Sequence, residues 1–222
     1  MNKERDNIES VFDNIKLVWK CTHYHTALEH PNCWDKYVAK FGGRAVFFDI
    51  ESSSLVGNFG LCLAWSLKPL DVDLVTHTVM TTEECHNPDI MDKRVVGELV
   101  DELKKYNLII TYYGTGHDFP FTRTRALAWG FEYPIYGQIR HFDVYYIARS
   151  KLSLHSKRLD VVADLLGIRG KTPLNFRIWQ RALAGDVKSL SYVEDHNIKD
   201  VIILEKVYKK MLPFMAGTRK SI

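Results

Sequence analysis

Ala45-Val46-Phe47-Phe48-Asp49-Ile50-Glu51 decides how the rest of the chain is read. Five of its first six residues are apolar, as expected of a strand covered on both faces. Two carboxylates then close the run. Residues two apart on a strand point to the same side, so Asp49 and Glu51 can reach one point in space. A strand end meeting solvent, with Ser52-Ser53-Ser54 opening a loop, accounts for an isolated acidic pair equally well.

Working outward, 59–67 and 74–80 read as two further strands that form a meander with 45–50. Residues 92–106 carry Val95, Val96, Leu99, Val100 and Leu103 at helical spacing and end in Lys104-Lys105. A short strand follows at 108–112, then a helix at 118–129 stopped by Gly130. The remainder is largely helical: 144–151, 159–166 closed by Gly167, 176–184 closed by Gly185, and a long helix from about 189 to 212 ahead of Pro213. This order predicts an α/β fold, a mixed sheet flanked by helices. The 222 residues suit one such domain at 41–222 and a small Cys/His-rich appendage at 1–40, where Ile15-Lys16-Leu17-Val18-Trp19 is the one apolar run.

Three more polar positions join the pair at the strand end. Asp118 stands where a helix begins, a place Asp fills often as an N-cap. His196 and Asp200 are four apart on the long last helix and share a face, which a solvated surface also explains. Asp143, in His141-Phe142-Asp143, reads as the N-cap of the helix after it and is left outside the set.

In this order the acids resemble the DEDD (DnaQ-type) 3′–5′ exonuclease superfamily, and the local wording extends the match. FFDIESSS is similar to its first motif, IITYYGTGHDFPFTRTRAL to its second and SYVEDHNIKDVIILEKVY to its third. HFDVYYIARSKLSLHSKRLDVVADLLGI resembles the stretch between the last two. The resemblance runs from about Arg44 to Pro213, with the predicted RNase H-like exonucleases of phages and bacteria as the nearest branch. It implies an RNase H-like fold, a metal-dependent 3′–5′ exonuclease acting on DNA or RNA, and Asp49, Glu51, Asp118 and Asp200 as ligands for two Mg²⁺ or Mn²⁺ ions. Tyr113 stands where the family more often has Asn, and His117 where it more often has Phe. Three residues separate His196 from Asp200, the spacing of the Tyr subclass with His in the Tyr position. An RNase H-like endonuclease, or a nucleic-acid-binding module without activity, remains as an alternative.

The chemistry fits the residue types. Two cations roughly 3.5–4 Å apart activate water and stabilise the leaving oxygen, and hard carboxylate oxygens suit Mg²⁺ or Mn²⁺. Four acids together repel one another without cations. His196 is the expected general base, since imidazole titrates near neutrality. Single strands or 3′ ends are the expected partner. Arg123, Arg125, Lys157 and Arg158 are candidate phosphate contacts, and Tyr113 is a candidate stacking residue.

Within CTHYHTALEHPNC, Cys21, His25, His30 and Cys33 are candidate ligands of one structural Zn²⁺, with His23 as the alternative to His25. The other two cysteines, Cys62 and Cys85, lie in unrelated segments, so no disulfide framework is expected and a reducing cytoplasm fits, the host's if the chain is phage-encoded. No stretch of about 20 apolar residues suggests a membrane span and no leader is expected at the N-terminus. A net charge of +3 permits a nucleic-acid partner without arguing for one.

Overall fold

The computed structural model describes residues 21–27, 29–33, 45–170, 172–173 and 175–214. The apolar run at 15–19 and the boundary at 40–41 lie outside them. Five strands form one sheet: β1 (Ala45–Ser52), β2 (Cys62–Pro69), β3 (Thr76–Val79), β4 (Leu108–Thr111) and β5 (Arg140–Asp143), in the order β3-β2-β1-β4-β5. The first three are antiparallel, and β4 and β5 continue the sheet in parallel. The helices are α1 (Thr82–His86), α2 (Lys93–Leu103), α3 (Asp118–Ala128), α4 (Val144–Lys151), α5 (Leu159–Leu165), α6 (Phe176–Leu183) and α7 (Val187–Met211). This is the expected RNase H-like architecture, meander included.

Two elements escape the sequence reading. α1 is five residues long, held by a capping box in which Thr81 and Glu84 satisfy each other's backbone amides. β5 is the short edge strand Arg-His-Phe-Asp, half-buried throughout and without an apolar run to betray it. It forms by pairing with β4, from Leu108↔Arg140 to Thr111↔Asp143.

Alternation along β1 divides the interior in two. Val46, Phe48 and Ile50 pack with α2 and α3, while Phe47 packs with α4, α5 and the later turns of α7. Phe47 and Phe48 are fully buried, each contributing about 1.5–3 kcal/mol of transfer free energy. Asp49 and Glu51 share the parity of Phe47 and so lie on the α7 side. β1 pairs with β4 only over Ala45–Phe47, whereas its pairing with β2 runs to Ser52. The acidic end of β1 therefore overhangs the carboxyl end of the parallel strands, where the sheet changes from parallel to antiparallel. Ligand crevices of open α/β sheets lie outside the carboxyl ends of the strands.

Candidate active site and Cys/His cluster

Asp118 is brought to this overhang by a contact from its side chain to the backbone of β1. It is the first residue of α3, yet its side chain does not cap that helix. Its Oδ1 accepts from the amide of Ile50 at 3.2 Å, beyond the last β1–β4 pair. α3 is anchored further along by Asp92, which accepts from Arg125 Nε and Nη2 at 2.8 and 2.6 Å, Trp129 Nε1 at 2.8 Å and Cys62 N at 2.8 Å. Asp92 is fully buried, and four donors satisfy it.

α7 supplies the other wall. Its N-cap, Asp186, accepts from Ser189 N at 2.9 Å, which starts the helix two residues earlier than periodicity alone suggests. His196, Asn197 and Asp200 are all buried on its inner face. Asn197 Nδ2 donates to Asp49 Oδ2 at 2.7 Å, a tie from helix to strand. His196 Nε2 lies 3.6 Å from Glu51 Oε1 and 3.8 Å from Asp200 Oδ2, and ligand atoms of these three residues fall within 4.8 Å of one another. On the far side of the ring, Nδ1 meets Thr172 Oγ1 at 2.9 Å.

Beside these acids opens a cleft of about 560 Å³, lined by Asp49, Asp200, Tyr112, Tyr113, Tyr145, Lys157 and Arg158 among others. Tyr113 stands at φ +70°, in the left-handed region where Asn is enriched and a bulky side chain costs on the order of 1–2 kcal/mol. Asp143 offsets that cost: it accepts from Tyr113 N at 2.8 Å and Thr115 N at 3.0 Å while capping α4 through Tyr145 N at 3.1 Å. The Tyr113 ring meets Tyr145 edge-on at 4.8 Å. Gly116 makes room for it, since a Cβ there would lie 2.4 Å from the ring. His117 keeps an aromatic contact where the motif usually has Phe, 5.5 Å from Phe121, and its Nε2 is 3.1 Å from Ser52 Oγ. Burial holds its pKa below the ordinary imidazole value.

Burial likewise pushes Asp118 up from 3.8 to about 7, with the nearby charge of Asp143 adding to the rise. The Ile50 amide and its own amide work in the other direction and lose. A buried carboxylate in this state suits a neighbouring cation, which would favour its charged form.

Of the candidate nucleic-acid contacts, Tyr113, Lys157 and Arg158 line the cleft, with Arg158 also paired to Asp160. Arg125 does not reach it: the side chain is buried and its guanidinium is committed to Asp92. Arg123 lies over the Tyr133 ring at 5.5 Å and lines a different, larger cavity bounded by Phe131 and Ile135. Sequence reading passed over Asn197 and Thr172. Asn197 follows His196 and precedes Asp200 by three, so helical geometry alone could have flagged it; nothing in the sequence links Thr172 to the site.

In the N-terminal segment Cys21, His23, His30 and Cys33 gather with ligand atoms within 4.8 Å of one another. His23 takes the place proposed first for His25, because Tyr24 turns the chain back at φ +68°. Cys21 Sγ lies 3.6 Å from His23 Nδ1 and 3.5 Å from His30 Nδ1, and Cys33 Sγ lies 3.8 Å from His23 Nδ1. Tetrahedral Zn–S and Zn–N bonds of about 2.3 and 2.0–2.1 Å place S and N about 3.5 Å apart, so the donor set fits that ion.

Residues 46–212 match the RNase H superfamily, and the chain belongs to it. A DNA polymerase of Methanocaldococcus jannaschii is 32% identical over 115 residues, covering 40% of this chain and 7% of the polymerase. The structure of a family B DNA polymerase from the hyperthermophilic archaeon Pyrobaculum calidifontis superposes with a TM-score of 0.62 at 20% identity, over 77% of this chain and 24% of that one. The chain thus spans a small part of either polymerase. No helix among the described residues is long and apolar enough to cross a membrane.

Proposed function

We propose that this chain is a DEDD-type nuclease that removes nucleotides from the 3′ ends of DNA or RNA with two Mg²⁺ or Mn²⁺ ions. The observation that carries this reading is at the overhanging end of β1, where Glu51 and Asp200 bring ligand atoms within 4.8 Å of each other, Asn197 of α7 ties down Asp49, and Asp118 of α3 accepts from the amide of Ile50. When bound, the cations supply activation of the attacking water and stabilisation of the leaving oxygen. Asp118 and Asp200, buried, and Asp49 and Glu51, half-buried, are the residues that hold them. Lys157 and Arg158 meet phosphates at the cleft, and Tyr113 with Tyr145 offers ring surface to an unstacked terminal base. The similarity to DNA polymerases supports a nucleic-acid substrate.

Within an appendage at 1–40, ahead of the nuclease domain at 41–222, we assign to Cys21, His23, His30 and Cys33 one structural Zn²⁺ that holds these four residues together.

Single-stranded and duplex DNA and RNA labelled at either end, incubated with Mg²⁺ or Mn²⁺, test the reading. Mononucleotides should leave the 3′ end and circular single strands should resist. Circles cut as fast as linear strands would replace the exonuclease by an endonuclease, and no cleavage of any substrate would leave a binding module.

A further inference from the structure

Among the described residues, His196 is the one histidine that groups with these acids as a possible metal ligand, and its setting is that of a ligand. At 3.6 and 3.8 Å, its Nε2 is too far from Glu51 and Asp200 for direct hydrogen bonds, which run from about 2.7 to 3.2 Å. Neighbouring donors on one first-row divalent ion, each about 2.0–2.2 Å from it, lie about 3.0–3.5 Å apart. The observed spacings are a few tenths of an ångström wider than that. The opposite ring nitrogen meets Thr172 Oγ1 at 2.9 Å, which fixes the ring with Nε2 toward the acids. Histidines that bind metals have this second partner almost invariably. Thr172 is in turn held against α7, because Tyr192 OH donates to the carbonyl of its neighbour Pro173 at 2.8 Å.

We propose that His196 is a metal ligand: with Glu51 and Asp200 it completes one cation position, and its imidazole makes that position select Mn²⁺ over Mg²⁺. The inference rests on the nuclease reading above and assigns His196 a role other than general base, since a nitrogen bound to a cation cannot also accept the proton. Imidazole is an unfavourable donor for Mg²⁺ and a good one for transition ions, whereas the carboxylates alone serve Mg²⁺ equally well.

The test is spectroscopic as well as catalytic. The full chain, with zinc retained and loaded with Mn²⁺, is examined by pulsed electron paramagnetic resonance with unlabelled and with ¹⁵N-histidine protein. A directly bound imidazole nitrogen should modulate the Mn²⁺ echo, the modulation should change on histidine labelling, and His196→Gln should abolish it. Competition titrations should show the Mn²⁺-over-Mg²⁺ preference falling at least about tenfold in His196→Gln, and Thr172→Val weakening Mn²⁺ by about tenfold. Should His196→Gln not fold, the labelling result in the native chain decides alone. Bound Mn²⁺ with no histidine coupling would overturn the inference and leave the nuclease reading standing; failure to bind any divalent cation at the acids would overturn both.

Discussion

Asp118→Asn is the substitution whose effect follows most directly from the structure. In the folded chain burial raises the Asp118 pKa from 3.8 to about 7. Between those values the folded state holds a proton that the unfolded chain has lost. The resulting stability is full below pH 4 and is lost as pH rises through 7. Each tenfold change in proton affinity is worth about 1.4 kcal/mol, so protein free of Mg²⁺ and Mn²⁺ should lose about 2–3 kcal/mol between pH 5 and pH 8 from this residue. For a chain of this size that is a fall in melting temperature of roughly 5–10 °C. Asparagine keeps an oxygen for the Ile50 amide and has no charge to bury. Asp118→Asn should therefore be the more stable protein at pH 8 and the flatter one across the range. Adding Mg²⁺ or Mn²⁺ at pH 8 should recover much of the loss in the native chain, because a cation binds the ionised form, and little in the variant. Urea unfolding at both pH values, with and without cation, measures all of this. If the two proteins run parallel from pH 5 to 8, the carboxyl is not held neutral by burial and the reasoning fails.

Asp49→Asn and Asp200→Asn should each abolish cleavage in Mg²⁺ while leaving the melting curve near that of the native chain, which end-labelled substrate and calorimetry will show together. Arg125→Met leaves Asp92 buried without its guanidinium and should cost about 3–5 kcal/mol, read as a melting point lowered by roughly 10 °C or more, with no specific loss of nucleic-acid affinity. Lys157→Ala should weaken substrate binding and reduce the slope of log affinity against log salt by about one, whereas Arg123→Ala should change neither. Elemental analysis should find about one zinc per chain, lost in His23→Ala and kept in His25→Ala; equal retention in both would remove His23 from the ligand set.

What the sequence made legible was whatever periodicity or an apolar run could encode. The run ending at Ile50 announced a doubly covered strand, and Val95, Val96, Leu99, Val100 and Leu103 marked one face of α2; Val46, Phe47, Phe48 and these five are at most 2% exposed. β5 escaped because an edge strand of Arg, His, Phe and Asp is made by its neighbour rather than by its own composition. Arg125 was misread for a related reason. An arginine on a helix reads as solvated until its partner is known, and Asp92 lies 33 residues away in sequence. The order of the acids was on the page, but not how they converge: Asp118 faces β1 through a single backbone amide, and Asn197 steadies Asp49 by a contact that spacing does not encode. For the Cys/His cluster, sequence left His23 and His25 open, and only the folded arrangement, with its left-handed turn at Tyr24, groups His23 with the other three.

The tie between Asn197 and Asp49 spans 148 positions of the chain. Contacts of that range form only after both partners have been made and the chain between them has collapsed. A ribosome thus finishes β1, with half the acids in place, long before α7 emerges from the exit tunnel. Until it does, the half-built domain lacks Asp200 and His196 and cannot complete the constellation. The nuclease proposed above is therefore harmless to the message being translated until α7 docks, and that helix acts as the last component of its own safety catch.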